Sequence, residues 1–68
     1  MQTYYFILNE DHYNYYKSYF HSELFHSDVP SYSKYTDAKE EIDKLRKMYP
    51  EKKLDIYAVF TTLTKVDE

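Results

Sequence analysis

Sixty-eight residues without a cysteine make one small domain, residues 1–68, that can use neither disulfides nor thiolate-bound zinc for stability. Ten tyrosines and four phenylalanines supply the alternative, since each buried ring removes on the order of 150–250 Å² from water, and so many aromatics exclude a disordered chain. A net charge of -3 argues against a nucleic-acid-coating or anionic-membrane-binding protein, because both need a basic field.

The first element is a strand. Thr3-Tyr4-Tyr5-Phe6-Ile7-Leu8 is short, aromatic and β-branched, and Asn9-Glu10-Asp11 ends it. The chain has no glycine, so a turn needing positive φ would have to use an asparagine, an aspartate or a strained residue. Tight primed hairpins are therefore not expected.

The stretch from His12 to Phe25, HYNYYKSYFHSELF, supports two readings. As a helix capped by Asn9 or Asp11 it puts Tyr13, Tyr16, Phe20 and Leu24 on one face, with Tyr15 and Tyr19 alongside. As a strand it shows aromatics on both faces. Tyrosine, phenylalanine, histidine, serine and asparagine are poor helix formers, and the aromatics are good strand formers, so composition tips the reading to extended structure. Tyr32-Ser33-Lys34-Tyr35 reads as a further short extended piece.

A helix over residues 37–49 follows, with Thr36 as its N-cap. Ala38, Ile42, Leu45 and Met48 or Tyr49 recur on one face, and Pro50 stops it. Glu40 with Lys44, and Asp43 with Lys47, form i,i+4 pairs on the other face. Leu54-Asp55-Ile56-Tyr57-Ala58-Val59-Phe60 starts as an alternating strand and becomes apolar on both faces, the mark of a strand that is central or lies in an interface. Thr61-Thr62 shifts the alternation, which predicts a bulge, with the strand running over 54–65. Ile42 and Phe60 are expected core residues. The expected fold is α+β: an antiparallel sheet of about three strands with one helix on one face. The alternative is two strands with two helices.

Candidate chemistry is sparse. His12, His21 and His26 lie near Asp11, Glu23 and Asp28, a donor set that suits zinc. His21 and His26, five apart, fall on different faces of a helix and on opposite sides of a strand, so no metal is expected. Serines 18, 22, 27, 31 and 33 show no nucleophile–base spacing, and without glycine there is no phosphate-cradling loop. A chain this small also has little room for a ligand pocket of about 300 Å³. No enzymatic activity and no cofactor are expected.

Tyrosines along a surface could stack on the bases of a single-stranded nucleic acid. From Glu10 to Asp37, however, five carboxylates face Lys17 and Lys34, and that acidic balance repels phosphate. The basic cluster of Lys44, Arg46, Lys47, Lys52 and Lys53 sits where cations complement a helix C-terminus. A protein-binding surface is the preferred reading, because tyrosine combines large contact area with a polar tip and little entropy to lose. Tyr13, Tyr15, Tyr16, Tyr19, Phe25 and Tyr32 are the candidate contact residues. The surplus of aromatics and the doubly apolar last strand also suggest a homodimer.

The run Tyr35-Thr36-Asp37-Ala38-Lys39-Glu40-Glu41-Ile42-Asp43-Lys44-Leu45, followed by Tyr49-Pro50-Glu51-Lys52-Lys53-Leu54-Asp55-Ile56-Tyr57-Ala58-Val59, is similar in style to small accessory proteins of bacteriophages and mobile elements. Those proteins often join a short strand, a T-x-A capped helix, a proline-terminated turn and a final apolar strand. The resemblance is one of architecture and transfers no site. It implies a non-enzymatic protein of the host cytoplasm that binds a host protein and modulates or inhibits it. No apolar run is long enough to cross a membrane.

Overall fold

A computed structural model describes residues 3–17, 29–60 and 62–68. Six elements follow in order: β1 (Tyr4–Asn9), α1 (Glu10–Lys17), β2 (Ser31–Tyr32), α2 (Tyr35–Met48), β3 (Leu54–Val59) and β4 (Leu63–Lys65). The α+β class is as expected. Among the described residues there are four strands instead of about three and two helices instead of one, which is closer to the alternative.

The strands are ordered β2-β1-β3-β4, and every neighbouring pair is antiparallel. β3 therefore lies inside the sheet, as its apolar run requires. β2 and β3 both run antiparallel to β1, so α2 carries the chain across β1 from one side to the other. The register places Phe6 opposite Tyr57 and Ile7 opposite Ile56. Side-chain alternation along these strands then divides the core between the two faces of the sheet.

On one face Phe6, Leu8, Tyr57, Val59 and Leu63 are buried, with Tyr4, Tyr13, Tyr16 and Val29 packed against them. On the other face Ala38, Ile42 and Ile56 are buried, flanked by Tyr5, Ile7, Tyr32, Tyr35, Leu54 and Val66. α2 thus covers one face, through the Ala38–Ile42 spacing that its sequence shows, and α1 lies against the other. The cover that β3 needs on both sides comes from within the chain.

Four expectations change. The preference for extended structure across the tyrosine-rich stretch is wrong for residues 12–17, which are helical; residues 18–25 lie outside the described residues. The reason is local. At the end of β1, the Asn9 side chain accepts a hydrogen bond from the His12 backbone N–H at 2.7 Å, an N-cap that satisfies an otherwise orphaned donor. Glu10 and Asp11 in the first turn and Lys17 in the last complement the helix dipole. These local terms, with Tyr13 and Tyr16 packed on the sheet, override weak intrinsic propensity.

The second change is at the start of α2. The helix begins at Tyr35, not 37, and its N-cap is Lys34, extended at φ -123 and ψ 136, with no side-chain cap bond. Thr36 is therefore not the cap. At the other end Tyr49 leaves helical geometry at φ -131 and ψ 68, as the residue before Pro50 must.

Thirdly, residues 54–65 are not one long bulged strand. Thr61 lies outside the described residues, but β3 ends at Val59 and β4 returns antiparallel along it, with Leu63 opposite Val59. That reversal also resolves the parity shift, since Leu63 joins Val59 in the same cluster. The Val66 N–H donates to the Ile56 carbonyl at 2.8 Å, extending the pairing past β4. No described residue takes a positive φ. Fourthly, Phe60 sits at this reversal and is 54% exposed, so it is not a core residue. Ile42 is fully buried.

Candidate functional site

The candidate contact residues are divided by the fold. Tyr13, Tyr15 and Tyr16 come together on α1. Tyr32 lies on the edge strand β2, in the cluster covered by α2, on the opposite face of the sheet. Tyr19, Phe25, His21 and His26 lie outside the described residues.

Within α1 no residue is fully buried. Tyr13 and Tyr16 are half-buried, one helical turn apart, and point at the sheet, whereas Tyr15 is 61% exposed. The Tyr15 ring stands edge-on to Tyr16, with centroids 5.2 Å apart and planes at 78°. The His12 ring also lies near Tyr16, 6.4 Å away. An outer layer of aromatic groups therefore rests on an inner layer that holds the helix down.

The inner layer is anchored by Tyr13. Its ring stacks on Tyr57 of β3 with centroids 4.8 Å apart and planes 13° from parallel, a geometry that adds to the area the two rings bury. The Lys17 ammonium sits 5.4 Å from the Tyr13 ring centre, within cation–π range. Burial pushes the Tyr57 hydroxyl above its ordinary pKa of 10.0, and the nearby charges of Asp55 and Glu10 add to the effect.

Beside this stack an open cleft of about 300 Å³ is lined by Glu10, Tyr13, Asn14, Asp55, Tyr57 and Lys65. A chain this small does hold an opening of pocket size, at the low end of the range for ligand sites, but as a surface groove. The Asp55 carboxylate has two cations near it, Lys65 Nζ at 3.6 Å and Arg46 Nη2 at 3.7 Å. Both are ion pairs longer than a hydrogen bond. Among the described residues, no cation lies within ion-pair distance of Glu10.

Tyr57, Asp55, Glu10, Asn14 and Lys65 were not legible as site residues. Asp55 and Tyr57 are two apart on one strand and so share a face, which is the only signal the sequence carries. Bringing Glu10 and Lys65 beside them takes the β1–β3 and β3–β4 registers, which no local pattern specifies.

The described residues hold no group of three histidine, cysteine or acidic side chains placed to bind a metal ion. No helix among them is long and apolar enough to cross a membrane. Comparison with protein-family models, curated proteins and solved structures finds no match to this chain.

Proposed function

We propose that this chain is a non-enzymatic protein-binding module, an accessory protein of the bacteriophage type that modulates or inhibits a host protein in the host cytoplasm. The observation that carries the reading is Tyr15. It is a large aromatic side chain 61% exposed on a helix whose other tyrosines are committed to the sheet. Tyrosine so placed offers a partner much contact area at small entropic cost.

The charge around it favours a protein over a nucleic acid. α1 begins with Glu10 and Asp11 and ends with Lys17, and Asp55 borders its inner side. A phosphate backbone approaching Tyr15 would meet more negative than positive charge.

The test is affinity capture from a bacterial lysate with the wild-type chain, Tyr15→Ser and Met48→Ser. Met48 is exposed at the far end of α2 and serves as a control for generic stickiness. A protein retained by wild type and Met48→Ser but lost with Tyr15→Ser supports the proposal. Retention that ignores Tyr15 sinks it. Steeply salt-dependent binding of labelled single-stranded oligonucleotides would replace it with base stacking. A retained protein that proves to be a second copy of the chain makes the partner a homodimer mate.

A further inference from the structure

Resting on the protein-binding reading, we propose that the cleft between α1 and the β3–β4 hairpin is a receptor for a guanidinium group, filled by an arginine side chain of the protein partner. Its walls carry the two kinds of group that recognise such a cation. The Tyr13–Tyr57 stack supplies aromatic surface, and Glu10 with Asp55 supplies carboxylates. Arginine uses both at once, because its planar fork pairs with carboxylates and lies against aromatic rings. The Asn14 side-chain carbonyl, also in the lining, can accept a further N–H.

One of the chain's own cations already lines the place: Lys65 approaches Asp55 at 3.6 Å. It is not held firmly, being 63% exposed and beyond hydrogen-bond distance. Arg46 also lies 3.7 Å from Asp55, but its guanidinium is committed to Glu68. Lysine is a compact, strongly hydrated point charge, whereas a guanidinium loses less hydration and forms directed pairs. An incoming arginine therefore has a physical reason to displace Lys65. The raised pKa of the Tyr57 hydroxyl, caused by burial and then by Asp55 and Glu10, is consistent with a negative potential at this point.

The test uses a blocked tripeptide, acetyl-Gly-Arg-Gly-amide, and its neutral citrulline counterpart, followed by the ring NMR signals of Tyr13 and Tyr57. Saturable shifts with the arginine peptide and none with citrulline are expected. Glu10→Gln should weaken binding about threefold, while Lys65→Ala, by removing a competitor, should tighten it by a similar factor. Both positions are exposed, so the variants should keep the wild-type amide spectrum, which is checked first. Equal shifts with citrulline, no shifts with either peptide, or a Lys65→Ala variant that binds more weakly would overturn the proposal. Capture dependent on Tyr15 but indifferent to Glu10→Gln would overturn the guanidinium site and leave the protein-binding reading standing.

Discussion

Arg46 on α2 and Glu68 meet as a two-bond fork, Nη1 donating to Oε1 at 3.0 Å and Nη2 to Oε2 at 2.8 Å. Arg46 Nη2 also donates to the Leu54 carbonyl at 2.9 Å, and Lys39 Nζ donates to Glu68 Oε1 at 3.2 Å. One guanidinium thus ties residue 68, α2 and the start of β3 together. Val66, two residues earlier, packs against the cluster of Ala38, Ile42 and Ile56, so the fork lies beside an apolar contact.

Those hydrogen bonds, that of Arg46 foremost, hold the Glu68 carboxyl below its ordinary value of 4.5. A carboxyl depressed in the folded state stabilises it above the unfolded pKa, and the gain is lost as pH falls through the lower folded value. Glu68→Gln should cost about 0.5–1 kcal/mol near neutral pH, the range for a well-formed but solvent-reached pair. The gap between the two proteins should close on acidification below the ordinary carboxyl range. Urea unfolding of both across the acid range checks this; a gap that does not depend on pH would mean that the pair contributes nothing through its charge.

Ile42 and Phe60 separate what burial decides from what hydrophobicity alone suggests. Ile42 is fully buried between Ala38 and Ile56, so Ile42→Ala should cost about 2–5 kcal/mol, comparable to the whole stability of a domain this size. Phe60→Ala, at an exposed reversal, should change stability by no more than about 0.5 kcal/mol. Thermal melts of the two variants decide it. A folded Ile42→Ala protein or an unfolded Phe60→Ala protein would contradict the assignment of the core.

The legible parts of the fold are those whose signal is periodic and long. The Ala38–Ile42 spacing identifies the buried face of α2, and the run from Ile56 to Val59 identifies a strand covered on both sides. Both signals are set by burial over several consecutive residues. α1 escapes because its start is set by one side chain, Asn9, which closes the strand and caps the helix, and the tyrosines that follow fit either period. The hairpin escapes because Thr61-Thr62 shifts parity equally well in a bulge or a reversal. The candidate site is half legible for the same reason. Tyr13, Tyr15 and Tyr16 are neighbours in sequence, but the cleft that adjoins them depends on strand register.

The Asn9 cap supports a helix described over eight residues, with no fully buried residue among them, so the cap matters to its stability. Asn9→Ala should cost about 1 kcal/mol and loosen α1. Asn9→Asp should keep the helix, since the carboxylate accepts the same bond from His12 and suits the helix N-terminus. Amide hydrogen exchange at residues 12–17 reads this directly. Protection in the alanine variant equal to wild type would show that packing of Tyr13 and Tyr16 alone holds the helix.

Tyr57 sets a limit at high pH. Its hydroxyl titrates above the ordinary 10.0, through burial first and then Asp55 and Glu10. Tyr32 behaves alike, through burial and then Glu41. A group whose folded pKa is raised leaves stability intact below the unfolded value and withdraws it as pH rises through the folded one, because the unfolded chain ionises first. Wild-type stability should therefore fall as pH rises past about 10. Tyr57→Phe keeps a ring for Tyr13 to stack on and removes the ionisation, so it should be near wild type at about pH 8 and more stable than wild type at about pH 11. Urea midpoints at the two pH values test the difference. Parallel loss of stability in both proteins would mean that Tyr57 does not govern the alkaline limit, and Tyr32→Phe would then be the variant expected to resist.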